Sequence, residues 1–167
     1  MPHGAWLSPV RISDPSAKGA AENQRQLTLA IEHYVGDAGF FSRANLLPGE
    51  PADDEVVLAF DFDRYQVERR IHPAYFPGAL LTLTLYIWFG GPIYRDAIDY
   101  SASLSISDVS RKELLRYSGR VDDESNVSLF SPHYVLPSSA EVRTRLVRSL
   151  LEQAVYGLNH PDHPTPP

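Results

Sequence analysis

The sequence contains no cysteine among its 167 residues. Disulfide bonds, thiolate nucleophiles and cysteine-based zinc or iron–sulfur sites are therefore excluded. A basic excess is lacking too, because 15 lysines and arginines stand against 21 aspartates and glutamates, a net charge of −6. Proteins that bind nucleic acid usually carry the opposite balance, so we expect no nucleic-acid partner.

Recognisable catalytic motifs are absent as well. The chain has no glycine-rich phosphate loop, no G-x-S-x-G elbow and no H-E-x-x-H zinc helix. The histidines are scattered, and we interpret the pair His160 and His163, in a proline-rich C-terminus, as incidental rather than as a metal site. We therefore expect no catalytic residue, no metal and no cofactor, and a protein that is not an enzyme.

The most apolar stretch reads PGALLTLTLYIWFGGP, at residues 77–92. Its uncharged centre, residues 80–89, is too short for a transmembrane helix, which needs about 20 residues. Residues with high strand propensity fill this centre, so we predict a β-strand. One side of that strand is expected to face a helix-covered core through Leu81, Leu83, Leu85, Ile87 and Phe89.

Aromatic residues within and beside this stretch are typical of protein interfaces and of membrane-surface belts. An equally weighted interpretation is that they close the open ends of the folded layers. We predict that five of them form a partner-binding surface: Tyr75, Phe76, Trp88, Phe89 and Tyr94.

The composition is that of a soluble globular domain, with 43% hydrophobic and 22% charged residues. The length predicts one domain, which we place at residues 5–158. Four of the last seven residues are prolines, which cannot continue a helix, so residues 159–167 are predicted to be a disordered tail.

Two helices are predicted from apolar stripes with a 3.6-residue period. The first stripe runs from Leu27 to Ala38 and is followed by Gly39, a residue suited to the left-handed C-cap. The second follows Ser138, an N-cap that forms a capping box with Glu141.

Strands are predicted on both sides of the apolar stretch. Residues 5–13 form a strand weakened by Pro9, and residues 40–47 a short one. Residues 55–71 alternate but change phase, which predicts a β-bulge near Asp63 and Arg64.

After the apolar stretch, residues 98–106 alternate strictly and residues 114–121 return as the hairpin partner. The sequence DDESN, residues 122–126, is predicted to be a solvated loop. The order β-α-β-β-β-β-β-α predicts an α+β fold. We expect a two-layer sandwich, in which two amphipathic helices cover one face of a mostly antiparallel sheet of about five strands.

Four segments carry a resemblance: AIEHYVGDAGFF, YFPGALLTLTLYIWFGGP, YSASLSISDVSRKELLRYSGRV and SSAEVRTRLVRSLLEQAVYGL. In element order the chain resembles the periplasmic domain of small Gram-negative outer-membrane lipoproteins. This broad group includes curli-secretion-channel-like and penicillin-binding-protein-activator lipoproteins. The resemblance implies a periplasmic, outer-membrane-anchored, non-enzymatic assembly or scaffold protein that binds a protein partner or forms a homo-oligomer.

The N-terminus, MPHGAWLSPV, has no signal-peptide pattern and no lipid-anchoring cysteine. The resemblance implies a membrane surface as a further partner, through a lipid anchor absent from this sequence. A cytoplasmic adaptor of the same fold remains an alternative.

A different class of function stays open at Asp61 and Asp63. Two carboxylates spaced two residues apart on a strand lie about 7 Å apart on one face, which suits a cation or two-carboxylate chemistry. This alternative, a small-ligand-binding domain or enzyme, requires a pocket on the side opposite the helices. Because Arg64, Arg69 and Arg70 follow, an ion-pair surface is the favoured interpretation.

Overall fold

A computed structural model describes residues 4–15, 20–41, 43–49, 52, 54–82, 85–134 and 139–160. Its elements, in chain order, are β1 (Ala5–Leu7), β2 (Arg11–Ile12), α1 (Ala20–Asp37), β3 (Ala44–Leu46), β4 (Val56–Ile71), α2 (Tyr75–Leu81), α3 (Leu85–Trp88), β5 (Pro92–Ser107), β6 (Glu113–Ser128) and α4 (Ser139–Asn159).

In the described residues the sheet has six strands; five follow the order β3-β1-β4-β5-β6, and β2 pairs with β4 beside this path. The short N-terminal strands pair in parallel, whereas the long strands β4, β5 and β6 are antiparallel. The α+β class and the mostly antiparallel sheet are thus confirmed. The strand predicted over residues 5–13 is split around Pro9, where the backbone N–H of Val10 donates instead to Thr28 Oγ1 at 3.0 Å.

A single core fills the space between the sheet and the two long helices. From α1 it takes Leu27, Ile31 and Val35, and from α4 it takes residues including Leu146 and Leu150. The sheet contributes alternate residues of β4 and β5: Val56, Leu58, Phe60, Phe62, Ile98, Tyr100, Ala102, Leu104 and Ile106. Both helices therefore cover the same face, because strand alternation sends these side chains to one side.

The predicted bulge is confirmed between Phe62 and Arg64, where Asp63 is the extra residue on β4. The extra residue changes the phase of the side-chain alternation, so Tyr65 again points to the face of the sheet that the helices cover. There it pairs with Tyr100 of β5. The helix-side residues that follow lie beyond the helical cover, since Val67 is 39% and Ile71 is 53% exposed. We call this part of the sheet the arm: residues 65–71 of β4, 92–100 of β5 and 121–128 of β6.

The strand predicted at residues 80–89 is wrong. Ile71 of β4 pairs with Tyr94 of β5, so the apolar stretch lies in the connection beyond the end of the sheet. The described part of that connection forms the short helices α2 and α3. The solvated loop predicted at residues 122–126 is also wrong, because β6 continues to Ser128 and pairs with β5 along the arm.

The helix ends agree with the sequence where the structure describes them. Gly39 has a φ of 68°, the left-handed conformation that glycine adopts without strain after a helix. The predicted N-cap Ser138 lies outside the described residues, as do residues 161–167 of the predicted tail. Helix α4 extends to Asn159, where that tail was predicted to begin.

Candidate functional site

The connection between β4 and β5 exposes a cluster of large apolar side chains at the end of the arm. We call this cluster the apolar tip; its members are Phe76, Leu80, Leu81, Leu85, Trp88 and Phe89. Their exposed fractions run from 55% for Leu85 to 86% for Phe89. Contiguous exposed apolar surface of this kind marks an interaction site more often than isolated exposed residues do.

The apolar tip is held by its own internal contacts. Thr82 Oγ1 donates to the carbonyl oxygen of Gly78 at 2.7 Å and accepts from the backbone N–H of Tyr86 at 2.8 Å. The ring of Tyr86 fills the space that a Cβ atom would need at Gly78 and at Gly91. Glycine at these two positions therefore lets the Tyr86 ring fasten α2, α3 and the start of β5 together.

The predicted partner-binding residues divide into two groups. Phe76, Trp88 and Phe89 belong to the apolar tip, and half-buried Tyr75 packs edge-on against Phe76 with ring centroids 5.2 Å apart. Tyr94 instead lies within the arm, with the Arg69 guanidinium 5.4 Å from its ring centroid. The partner-binding role of all five stays a prediction.

The sequence prediction missed the leucines of the apolar tip. Leu81 and Leu85 were placed on a covered side of a strand, yet they are 83% and 55% exposed. The signal available in the sequence was the composition of residues 73–94, which contain no Asp, Glu, Lys or Arg.

The outer half of the arm contains an ion pair between half-buried Arg69 and buried Asp96. Arg69 Nε and Nη2 donate to the two carboxylate oxygens of Asp96 at 2.6 and 2.7 Å. Asp96 is fully buried, and the hydrogen bond to it is the main cause that raises the pKa of Arg69. The same guanidinium donates to the carbonyl oxygens of His133 and Tyr134, each at 2.8 Å, so it also ties the chain after β6 to the arm.

The open face of the sheet carries an ion-pair network, but its centre is Asp99 rather than the predicted Asp61 and Asp63. Asp99 accepts from Arg64 at 2.7 Å and from Arg120 at 3.0 and 3.1 Å. Asp61 accepts from Ser13 Oγ at 2.6 Å, while Asp63 is the exposed bulge residue. A cavity of about 690 Å³ lies against α1, and one of about 570 Å³ lies at the base of the arm. Neither Asp61 nor Asp63 lines either cavity.

Among the described residues, no group of three or more histidines, aspartates and glutamates is arranged to hold a metal ion. His160 stacks on the ring of Tyr156, and its predicted pair mate His163 lies outside the described residues. None of the described helices has the length and apolar character needed to cross a membrane.

No family model matches the chain, and no curated protein matches it. Solved structures, by contrast, match the chain. The PelC dodecamer from Paraburkholderia phytofirmans is 9% identical with a TM-score of 0.47, covering 89% of this chain and 86% of that one. A minor lipoprotein from Acinetobacter baumannii is 10% identical with a TM-score of 0.42, covering 97% and 96%.

Lipoprotein GNA1162 from Neisseria meningitidis is 14% identical with a TM-score of 0.42, covering 95% of this chain and 99% of its own. These proteins come from Gram-negative bacteria, and the chain is similar to them in the arrangement of its helices and strands. At this identity and TM-score the likeness concerns architecture alone, and no residue role is transferred.

Proposed function

We propose that this chain is a non-enzymatic cell-envelope protein that acts as an assembly module, joining copies of itself through the apolar tip. The observation that carries the proposal is the exposure of six large apolar side chains on an internally fastened connection. A fixed apolar patch can contact the same patch on a second copy around a two-fold axis, because it is complementary to itself.

The size of the apolar tip is sufficient for association. Full burial of one such side chain contributes roughly 1.5–3 kcal/mol. For six side chains that are 55–86% exposed, burial contributes on the order of 10 kcal/mol per copy. Association costs about 4–15 kcal/mol in lost freedom of motion, so two buried tips are enough to hold copies together.

The second candidate is docking onto the surface of a lipid bilayer. It is favoured by one specific observation, the absence of charge over residues 73–94 together with the tyrosines and tryptophan that border the leucines. Such aromatic residues sit at the membrane–water boundary. The charged side chains nearest in sequence, on β4 and β5, are engaged in ion pairs: Arg69 with Asp96, Arg70 with Glu68 and Arg95 with Glu124.

Size-exclusion chromatography with light scattering tests the proposal, with Trp88→Ser/Phe89→Ser beside the wild type. We expect a wild-type oligomer and a folded, monomeric double variant, verified by circular dichroism. The matched control is Leu29→Ser/Leu114→Ser, which removes two exposed leucines from α1 and from the far end of β6. This control should keep the wild-type mass.

A wild-type monomer overturns self-assembly. Flotation of that monomer with vesicles of zwitterionic phosphatidylcholine, lost in Trp88→Ser/Phe89→Ser, would support the membrane candidate. A monomer that does not float would contradict both candidates.

A further inference from the structure

The outer edge of the sheet has a gap beside β2. Strand β3 lies along β1, and just after it the backbone N–H of Leu47 donates to the carbonyl oxygen of Leu7 at 3.0 Å. Strand β2 continues beyond the break at Pro9, but in the described residues it pairs with β4 alone. The side of β2 that faces away from β4 is therefore left without a neighbouring strand.

Helix α1 lies over this gap without filling it. Thr28 Oγ1 accepts from the backbone N–H of Val10 at 3.0 Å and donates to the carbonyl oxygen of Gln24 at 2.8 Å. These two bonds fasten α1 to the break between β1 and β2. The cavity of about 690 Å³ lies between α1, β2 and the end of β3, and we call it the edge cavity. Clefts of roughly 300–1,000 Å³ are the size that holds small organic molecules.

Half of the residues that line the edge cavity are apolar. Leu29 of α1 is 52% exposed, and Leu46 at the end of β3 is half-buried and packs partly against the core. The apolar lining residues are Pro9, Val10, Leu29, Leu46 and Leu47. They offer an apolar surface on which the tail of a ligand can be buried.

Two guanidinium groups stand beside this apolar surface, because Arg11 and Arg25 also line the edge cavity. Both arginines are exposed, and within the described ranges neither forms an ion pair. Arg64 and Arg120, by contrast, share the carboxylate of Asp99. In a chain with a net charge of −6, this leaves two adjacent cations available to an anion from solution.

The carboxylates nearest to these arginines are engaged elsewhere. Asp61, the register partner of Arg11, accepts from Ser13 Oγ at 2.6 Å. Glu22, which precedes Arg25 by one turn of α1, accepts from a glutamine of the same helix at 2.8 Å. No aspartate or glutamate in the described part of the chain lines the edge cavity. The charged groups that line it there are thus both positive.

We propose that the edge cavity binds an anionic amphiphile, a small molecule with one terminal oxyanion on an apolar tail. Arg11 and Arg25 hold the oxyanion, because hydrogen bonds from arginine to an anion are strong and can be bidentate. The tail lies along Leu29 and the leucines at the end of β3. This role goes beyond the assembly role and does not depend on it. Strands β1 and β2 pair with residues 56–62 of β4, at the end opposite the apolar tip.

Isothermal titration calorimetry of the full chain tests the edge cavity, at constant ionic strength and below micelle-forming concentrations. Octanoate and octyl phosphate carry an apolar tail with a carboxylate or a phosphate head. Octylammonium carries a similar tail with the opposite charge, and acetate is a carboxylate without the tail. We expect saturable binding of octanoate, octyl phosphate or both, and binding of octylammonium and acetate that is at least tenfold weaker. The stronger of the two anions identifies the head group.

The double variant Arg11→Gln/Arg25→Gln removes both positive charges from exposed positions. It should weaken binding of the anion by roughly tenfold or more, because hydrogen bonds to a charged group are lost. The matched control Arg145→Gln/Arg148→Gln removes two exposed arginines of α4 and should bind as the wild type does.

Leu29→Ser tests the tail and should also weaken binding, because apolar contact is lost. Its control is Leu114→Ser, which changes an exposed leucine of β6 outside the edge cavity and should leave binding unchanged. Should Arg11→Gln/Arg25→Gln fail to fold, as judged by circular dichroism, the comparison of Leu29→Ser with Leu114→Ser decides.

Three results would overturn the proposal. The first is no saturable binding of either anion, and the second is equal binding of octylammonium. The third is equal binding by Arg11→Gln/Arg25→Gln and its control. Trp88→Ser/Phe89→Ser should bind the anion as the wild type does; loss of binding in that variant would place the amphiphile at the apolar tip and would also refute the edge cavity. The oligomeric state is measured separately, so the assembly role and this site can fail independently.

Discussion

Replacing Arg69 by methionine should destabilise the protein far more than the same change at its neighbour Arg70. Both arginines pair with a carboxylate at 2.6 Å. Asp96, the partner of Arg69, is fully buried, whereas Glu68 and Arg70 have side chains 57% and 71% exposed. The two substitutions thus remove similar contacts from different surroundings.

The magnitudes follow from that difference in burial. Removing one partner of a buried ion pair leaves an uncompensated charge and costs about 3–5 kcal/mol. Removing one partner of an exposed pair costs about 0–1 kcal/mol. Arg69→Met also leaves the carbonyl oxygens of His133 and Tyr134 without this donor, so its cost belongs at the upper end of the range.

Urea denaturation followed by circular dichroism measures the free energy of unfolding of each variant. We expect Arg69→Met to lose about 3–5 kcal/mol and Arg70→Met less than about 1 kcal/mol. The double variant Arg69→Met/Asp96→Leu should recover much of the loss, because no charge remains buried. Equal losses for Arg69→Met and Arg70→Met, or strict additivity with Asp96→Leu, would refute this account of the arm.

Two further predictions concern packing and pH. Gly119→Val should cost about 1–3 kcal/mol of unfolding free energy, because a Cβ at Gly119 lies 3.0 Å from Leu146 Cδ1. Gly36→Ala, where nothing lies within 4 Å, should instead stabilise α1 by about 0.5–1 kcal/mol; the reverse order in thermal unfolding would contradict this. Glu55 accepts from the backbone N–H of Ala52 and from Trp6 Nε1, and these hydrogen bonds lower its pKa. The contribution of Glu55 to folding stability is therefore fully present above the ordinary glutamate pKa. It is lost as the pH falls through the lowered pKa of Glu55 in the folded protein. The stability difference between wild type and Glu55→Gln, measured by urea titration across pH, should vanish in acid; a constant difference would exclude this linkage.

The parts of the fold with regular apolar spacing were predictable from the sequence. Residues 98–106 alternate because one side faces the core and the other is the open face, so their pattern gave the strand directly. The bulge at Asp63 was visible because an extra residue changes the phase of the alternation. These patterns record burial, and burial is what the sequence encodes most directly.

The errors arose where local composition does not record the tertiary surroundings. Residues 80–89 are rich in strand formers, but pairing of Ile71 with Tyr94 leaves them no neighbouring strand. Residues 122–126 are polar although they form a strand, because β6 is at the sheet edge, where charged residues deter pairing with another chain.

The ion pair of the arm was equally hidden from a sequence analysis. Arg69 and Asp96 are 27 residues apart. Only the antiparallel register brings the two together.

The strands β4, β5 and β6 contain 16 residues each, so they are longer than the part of the sheet that the two long helices cover. At about 3.3 Å per residue, the seven residues from Tyr65 to Ile71 extend roughly 20–25 Å beyond the core. The arm therefore sets the distance between the helical layer and the apolar tip. Its length is set in steps of two residues, because each such step adds about 7 Å while every side chain keeps its face.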